Sequence, residues 1–132
     1  ADGGIYISGG TFVIDSADDT LHSDNEVVID DGLITLSSGD DGIHADVSLT
    51  INGGNVDIQT SYEGIEASSI ELNGGTVNLV ASDDGLNAGG GTDATLTIKN
   101  SSRLDAVIDK NLSLSNKGVL LSLASLRHLL LN

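Results

Sequence analysis

SSGDDGIHAD, residues 37–46, contains an acidic turn motif that recurs along the chain at a nearly constant interval. Its glycine is Gly42, and the equivalent positions are Thr20, Gly64 and Gly85, at steps of 22, 22 and 21 residues. A second marker keeps the same interval, at Gly9-Gly10, Asp31-Gly32, Gly53-Gly54 and Gly74-Gly75. Self-similarity with a period of about 20–50 residues is typical of a solenoid.

Three short stretches in each repeat alternate apolar residues with others at a period of two, which predicts short strands with one buried face. The first set is Ile5-x-Ile7, Val27-x-Ile29, Leu49-x-Ile51 and Ile70-x-Leu72, with Leu96-x-Ile98 after a glycine-rich insertion. The second set is Phe12-x-Ile14, Ile34-x-Leu36, Val56-x-Ile58 and Val77-x-Leu79. The third set is Leu21-x-Ser23, Ile43-x-Ala45, Ile65-x-Ala67 and Leu86-x-Ala88. Stacking such repeats buries a face that no single repeat can bury alone.

The pattern predicts an all-β fold, a parallel β-helix with three short strands per coil of about 22 residues. By analogy, a coil of this length suits the right-handed type. Leucine-rich repeats are of similar length but need a helical half, and no stretch of 3.6-residue periodicity occurs in these repeats. A β-sandwich would not repeat the same corner chemistry at a fixed interval. The corner glycines are expected to let the chain turn with positive φ at each corner.

The predicted β-helix covers residues 1–109, and residues 110–132 form a leucine-rich end without an acidic glycine turn. That end is interpreted either as further coils or as an apolar capping helix, since a solenoid needs an end cover.

The chain is strongly acidic, with a formal net charge of −15 over 132 residues. All five Lys and Arg residues lie after residue 98, so residues 1–98 carry 18 acidic residues and no Lys or Arg. A field of this sign repels nucleic acid and anionic membranes and attracts cations. The core must consist of Val, Ile, Leu and Ala, because Phe and Tyr number three in all and Trp and Met are absent. No apolar run is long enough to predict a membrane span.

Acidic residues of successive turns are expected to form two columns, because equivalent residues of neighbouring coils lie about 4.8 Å apart in a parallel stack. One column is Asp19, Asp41, Glu63 and Asp84, and the other is Asp18, Asp40 and Asp83, interrupted by Tyr62. Two carboxylates at that spacing repel by roughly 3.5 kcal/mol at an effective dielectric constant of ~20. Raised pKa values, salt screening or bound cations can offset this repulsion. Ca²⁺ is favoured over a merely solvated acidic face, because it accepts many oxygen ligands in irregular geometry.

His22 and His44 begin a further column beside the acids, which Glu66 and Asn87 continue. Both histidines follow an inward-facing apolar residue, so they are predicted to point outward. A transition-metal site is one interpretation, and ordinary surface histidines are the more common one. Tyr62, Glu66 and His44 are candidates for contact with a ligand. Two interpretations of Tyr62 remain open: its ring stacks on a sugar ring, or it reduces the repulsion between acids in its column.

Residues 9–24, GGTFVIDSADDTLHSD, and residues 51–91, which include INGGNVDIQTSYEGIEASS and VASDDGLNAGGG, carry a family resemblance. Over roughly residues 5–98 the chain resembles the bacterial secreted carbohydrate-binding β-helix proteins, of which clostridial cellulose- and acidic-sugar-binding proteins are an example. The resemblance implies a right-handed, pectate-lyase-like fold, an extracellular or cell-surface location, and binding of acidic polysaccharide without established lyase activity. It also implies Ca²⁺ between coils at Asp18, Asp19, Asp40, Asp41, Glu63, Asp83 and Asp84.

Catalysis is not expected. A polysaccharide lyase needs a base, usually Arg or Lys, near the Ca²⁺-bound uronate, and residues 1–98 contain neither. Glycoside hydrolysis by paired acids is harder to dismiss, but a catalytic site is normally singular, whereas these acids recur. The chain is therefore predicted to be a non-catalytic, calcium-binding protein whose partner is a uronate-type polysaccharide. The alternative is a structural subunit that stacks end to end into a calcium-stabilised extracellular filament, since the first coil, from Ile5, leaves an open end.

Overall fold

The computed structural model describes residues 1–99, 101–108, 119–121 and 126–131. Its strands are β1 (Ile5–Ser16), β2 (Leu21–Ser23), β3 (Glu26–Ser38), β4 (Ile43–Ile51), β5 (Asn55–Thr60), β6 (Ile65–Leu72), β7 (Gly75–Ala81), β8 (Leu86–Ala88), β9 (Leu96–Ile98), β10 (Ser102–Ile108), β11 (Val119–Leu121) and β12 (Leu126–Leu131). A single 3₁₀ turn, Gly91–Asp93, interrupts the strands of this described part. Within it, no helix is both long and apolar enough to cross a membrane.

The strands stack in parallel and form three ladders, which confirms the predicted all-β solenoid. The first ladder aligns Ile5, Val27, Leu49, Ile70, Leu96 and Val119. The second aligns Phe12, Ile34, Val56, Val77, Leu104 and Leu126. The third aligns Leu21, Ile43, Ile65 and Leu86, at steps of 22, 22 and 21 residues. Its four strands mark four stacked coils of about 22 residues each.

The core lies inside the coils and is entirely aliphatic in the described part. Its buried hydrophobic side chains are Ile, Leu, Val and Ala, contributed by the inward positions of all three ladders. Ile43 and Ala45 are fully buried, as their alternation in the third ladder predicts. Aliphatic side chains of similar size fill the narrow interior because each one packs against its equivalent in the next coil.

The glycines at the two kinds of corner have different structural roles. Between the first and second ladders, Gly32, Gly54 and Gly75 have φ values of 130°, 85° and 78°, which L side chains rarely adopt. At the acidic corner, Gly42 and Gly64 do not have positive φ, so the expectation of positive φ at every corner is wrong there. What requires glycine at the acidic corner is close approach between coils, because a Cβ on Gly42 would lie 2.6 Å from the carbonyl oxygen of Gly64.

A row of hydrogen-bonded polar side chains lies at the corner between the first and second ladders. Asn73 Nδ2 donates to Asn52 Oδ1 at 2.8 Å, and Asn52 Nδ2 donates to Asp30 Oδ1 at 2.8 Å. Three successive coils are thereby hydrogen-bonded to one another through side chains as well as backbone. Such amide ladders stabilise parallel stacks in which identical positions lie on top of one another.

The described segments of the leucine-rich end are strands. Val119–Leu121 pairs in parallel with β9, and Leu126–Leu131 pairs in parallel with β10. These two segments therefore extend the first and second ladders of the solenoid. The remainder of the predicted coil or cap, residues 110–118, 122–125 and 132, lies outside the described residues.

Candidate functional site

Serines shape the acidic corner that connects the second ladder to the third. Ser38 Oγ accepts the Asp40 amide at 3.1 Å and lies 2.7 Å from the carbonyl oxygens of Asp18 and Asp41. In the first coil, Ser16 Oγ accepts the Asp18 amide at 3.2 Å in the same way. A serine two residues before an acid forms a local turn that satisfies the corner backbone. The turn directs successive acids to different sides of the corner.

The two predicted columns of acids differ in their exposure to solvent. The inner acidic column comprises Asp19, Asp41, Glu63 and Asp84, and the outer acidic column comprises Asp18, Asp40 and Asp83, with Tyr62 at the corresponding position of the third coil. Asp41 and Glu63 are only 5% and 9% exposed, whereas Asp18 and Asp40 are exposed. The Tyr62 ring is 47% exposed. In the second coil the inner acid is therefore buried and the outer acid faces solvent, whereas Asp83 and Asp84 of the fourth coil are both half-buried.

The carboxylates of neighbouring coils converge into overlapping groups. In each group one ligand atom per residue lies within 4.8 Å of the others, and the oxygen-only groups are Asp18–Asp19–Asp40, Asp41–Glu63–Glu66 and Glu63–Asp83–Asp84. A mixed group, Asp19–Asp41–His44, joins them. The structure thus brings all seven predicted acids, together with Glu66 and His44, into one continuous face. The backbone takes part as well, since the Asp41 amide donates to Asp19 Oδ1 at 3.0 Å.

The two histidines of the third ladder stack on one another. Their rings lie 4.8 Å apart with an interplanar angle of 7°. His22 Nδ1 lies 2.7 Å from Asp19 Oδ2, and His44 Nδ1 lies 3.1 Å from Asp41 Oδ2, both within hydrogen-bonding distance. The His44 side chain is only 23% exposed, so the sequence interpretation of a plain outward-facing histidine is incomplete. Its ring is a partly buried member of the acidic face.

Sequence reasoning missed two residues of this face, Asp24 and Asp46, and named a third, Asn87, only as part of the histidine column. Asp24 and Asp46 lie beside the histidines, with Asp24 Oδ1 3.3 Å from His22 Nε2 and Asp46 Oδ1 3.1 Å from His44 Nε2. Asn87 Nδ2 donates to Glu63 Oε2 at 3.0 Å. The sequence contained an indication that the two aspartates lie beside the histidines, because residues two apart in a strand point to the same side. In this sequence each of these histidines is followed by an aspartate at that spacing.

Burial raises the pKa values of three carboxyl groups of the acidic face. Burial raises the pKa of Glu63 to about 7, helped by the neighbouring Glu66 and opposed by the hydrogen bond from Asn87. Burial also raises the pKa of Asp41, although its hydrogen bond with His44 acts in the opposite direction. The pKa of Glu66 is raised as well, again mainly by burial. Raised carboxyl pKa values are the expected response of acids that lack a compensating cation.

Lys and Arg lie away from the acidic face wherever the structure describes their contacts. Lys99 Nζ pairs with Glu71 Oε1 at 3.0 Å, and Arg103 Nε pairs with Asp105 Oδ2 at 3.0 Å. The sequence has neither residue type before position 99, so no Lys or Arg belongs to the four coils that carry the face. The repulsion among its carboxylates is therefore not balanced by basic side chains of those coils.

A shallow groove of about 190 Å³ runs along the third ladder beside the inner column. Its lining includes His44, Asp46, Glu66 and Ser68, from the second and third coils, and Gly89, after the fourth. The groove is partly open to solvent and mostly polar, so it can accept polar groups that lie across neighbouring coils.

A protein-family model described as "Carbohydrate-binding domain-containing protein" matches residues 1–85, nearly two thirds of the chain. The chain belongs to this carbohydrate-binding domain family. The expected membership of a carbohydrate-binding family is thereby confirmed. The matched region of this family member contains all seven acids of the two columns, Tyr62 and both stacked histidines. No curated protein and no solved structure matches the chain.

Proposed function

We propose that this family member is a non-catalytic domain that binds acidic, uronate-type polysaccharide through Ca²⁺ at its acidic columns. The observation that carries the proposal is the convergence of carboxylates from successive coils on one face without any Lys or Arg from those coils. Membership of a carbohydrate-binding family supports a glycan as the ligand. The recurrence of equivalent acids in each coil favours repeated binding of a repeating polymer over a single catalytic centre.

The donor atoms of the oxygen-only groups fit Ca²⁺. Asp18, Asp19 and Asp40 supply three carboxylates at one end of the face, and Glu63, Asp83 and Asp84 supply three at the other. Ca²⁺ takes six to eight oxygen ligands in flexible geometry, so three carboxylates leave positions for water or for a ligand. Bound Ca²⁺ would supply positive charge to be shared between protein carboxylates and sugar carboxylates.

The sign of the charge favours an acidic glycan bound through a cation. A polyanion would be repelled by the bare face, so its binding must depend on the ion. The exposed ring of Tyr62, within the outer column, offers an apolar surface on which a sugar ring can stack. Exposed sites with few protein ligands bind Ca²⁺ weakly, in the range of roughly 10⁻⁴–10⁻³ M that is typical of extracellular modules. An extracellular or cell-surface location supplies such concentrations and completes the proposal.

Removal of two outer-column charges is expected to abolish calcium-dependent binding to polygalacturonate. In the double variant Asp18→Asn, Asp40→Asn, retention on immobilised polygalacturonate should fall by about tenfold or more, because two of three carboxylates of one site lose their charge. The matched control is Asp15→Asn, Asp57→Asn, which makes the same change in net charge on strands β1 and β5 of the second ladder.

The control variant should be retained like the parent chain in millimolar Ca²⁺, and both should be lost from the matrix in excess chelator. Retention that is unaffected by chelator, or equal losses in the two double variants, would show that general charge and not the columns governs binding. A neutral polymer such as cellulose, tested in parallel, distinguishes an acidic ligand from carbohydrate in general.

End-to-end association is a second candidate function, favoured by the exposed first coil. Among the described strands, β1 pairs with β3 on one side only. Phe12, at an inward position of the second ladder, remains 38% exposed there, and its equivalent Ile34 is fully buried. A strand edge with uncovered apolar residues is a template for another copy, and head-to-tail contacts of this kind propagate as filaments.

Sedimentation velocity and electron microscopy of the purified chain test the filament. With Ca²⁺ at high protein concentration, association is expected to give elongated species, and Phe12→Lys should reduce it because a charge would have to be buried at each junction. Ile34 is not a suitable comparison because it is in the core, so Val80→Lys, at an exposed position of β7, is the control. Strictly monomeric particles under all of these conditions would rule out the filament.

A further inference from the structure

His22 and His44 are each held between two carboxylates. Asp19 and Asp41 contact the Nδ1 atoms, at 2.7 Å and 3.1 Å, from the acidic corner. On the other side of the rings, Asp24 and Asp46 lie 3.3 Å and 3.1 Å from the Nε2 atoms. Two successive coils thus repeat one unit, a carboxylate, an imidazole and a second carboxylate, and the two units are stacked.

Each imidazole has a carboxylate on both sides. A neutral imidazole carries one proton, so it can donate to only one of these carboxylates, and its other nitrogen has a lone pair. When Nδ1 donates to Asp19 or Asp41, the lone pair is on Nε2 and faces Asp24 or Asp46, at 3.3 Å or 3.1 Å. A positive species between them would satisfy both.

A second proton on each ring is one species that can occupy the Nε2 side, and a metal ion is another. A metal ion bound at the Nε2 side requires no second proton on either ring. Carboxylates hydrogen-bonded to Nδ1 orient metal-binding histidines in this way and increase the basicity of the metal-binding nitrogen.

Within each coil, the spacing between Nε2 and the outer carboxylate oxygen matches one pair of ligands of a tetrahedral metal site. Zn²⁺ lies about 2.0–2.1 Å from histidine nitrogen and carboxylate oxygen, so two ligands at the tetrahedral angle are about 3.3 Å apart. The distances from Nε2 to oxygen, 3.1 Å in the second coil and 3.3 Å in the first, agree with that value. One ligand atom from each of His22, His44 and Asp46 lies within 4.8 Å of the others. Asp24 and Asp46 are about half exposed, which leaves them free to adjust.

We propose that His22, His44 and Asp46, with Asp24 alongside, form a site for a borderline transition-metal ion such as Zn²⁺. Asp19 and Asp41 act as positioning residues, which fix the tautomer through Nδ1. Nitrogen ligands distinguish this site from the oxygen-only groups of the columns, because imidazole selects zinc-like ions over Ca²⁺. The site goes beyond the proposed calcium-dependent binding of polysaccharide and does not depend on it.

Isothermal titration with Zn²⁺, in millimolar Ca²⁺ and a buffer that does not bind metals, tests the site. His22→Asn and His44→Asn are each expected to weaken Zn²⁺ binding by about tenfold or more. Asparagine suits this ladder position, since Asn87 aligns with Glu66 and His44 in the same ladder. His128→Asn removes the third imidazole of the chain and serves as the matched control. Melting curves of the variants verify that each one is folded.

Nitrogen NMR of the histidine rings gives a second readout that a purely structural role would not change. Zn²⁺ should shift the Nε2 resonances of His22 and His44 and leave their Nδ1–H groups protonated. Asp46→Asn should weaken binding without changing the tautomers. Absence of Zn²⁺ binding in millimolar Ca²⁺, or equal affinity in His44→Asn and the parent chain, would overturn the proposal. Shifts confined to His128 would overturn it as well.

Discussion

Replacement of Gly64 by alanine is expected to lower the free energy of unfolding by about 2–4 kcal/mol. A Cβ at this position would lie 2.5 Å from the carbonyl oxygen of Gly85 and 3.0 Å from Leu79 Cδ2. The first contact is with backbone, which cannot move aside without separating two coils. Alanine would gain about 0.4–1 kcal/mol from a less flexible unfolded chain, which is smaller than the expected steric cost.

The first coil shows how the stack responds to a side chain at this position. Thr20 aligns with the corner glycines, and the amides of Thr20 and Leu21 reach the next coil at 3.3 Å each. The corresponding distances from Gly42 and Ile43 are 3.0 Å and 3.1 Å. A Cβ at the acidic corner is therefore accompanied by slightly longer hydrogen bonds between coils. Gly64 lies deeper in the stack, where coils on both sides would have to accommodate the same displacement.

Thermal and urea denaturation measure the effect, with Gly89→Ala as the matched control. A Cβ on Gly89 would meet nothing within 4 Å, so this variant should unfold like the parent chain. For a chain of this length, the expected loss in Gly64→Ala corresponds to a decrease of roughly 5–20 °C in the melting temperature. Equal melting temperatures for the two alanine variants would contradict the close approach of the coils at the acidic corner.

The sequence was sufficient to predict the ladders, because the register of a parallel solenoid follows from its repeat. Once Gly42, Gly64 and Gly85 are aligned, the inward positions of the third ladder are determined, and the observed pairs Ile43–Ile65 and Ile65–Leu86 agree with that alignment. The same alignment predicted which acids would form columns. An error of one residue would have placed apolar side chains on the outside, so period-two alternation strongly constrains the register.

Properties that depend on side-chain environment could not be obtained from the repeat. Asp40 and Asp41 are adjacent in the motif, yet the first is exposed and the second is 5% exposed, because the turn at Ser38 directs them to different sides. A glycine can be required for a positive φ or for close contact between coils, and the sequence does not distinguish these two requirements. Gly54 is needed for its φ of 85°, and Gly64 for its distance to the next coil.

The stability of the calcium-free chain is expected to decrease as the pH rises from about 4.5 to about 7. The carboxyl pKa of Glu63 is raised from an ordinary 4.5 to about 7 by burial. A folded-state pKa above the unfolded value means that the folded chain binds more protons between the two values. The contribution of Glu63 is therefore fully present below pH 4.5 and is lost as the pH rises to about 7. It amounts to about 1–2 kcal/mol, since water still reaches part of the carboxyl group.

Three neighbouring groups act in the same direction. Burial is the main cause of the raised pKa values of Asp41 and Glu66. Burial alone would lower the pKa of His44, but its contacts with Asp41 and Asp46 outweigh that effect and raise the value above the ordinary 6.5. Stability from the protonated histidine is therefore also present at low pH and is lost as the pH rises through its raised pKa. All four shifts predict a calcium-free chain that is more stable near pH 5 than near pH 7.5.

Melting curves in excess chelator at several pH values measure this slope, and Glu63→Gln should reduce it. Glutamine removes the titration at position 63, while Glu71→Gln, in the ion pair with Lys99 away from the columns, provides the matched control. In millimolar Ca²⁺ the slope of the parent chain should flatten or reverse, because the ion binds only deprotonated carboxylates and stabilises the folded state that holds them. If the dependence of stability on pH is the same in Glu63→Gln as in the parent chain, groups other than Glu63 are responsible for the proton uptake. Identical pH profiles with Ca²⁺ and with chelator would instead contradict a calcium site at the columns, because proton and ion compete for the same oxygens.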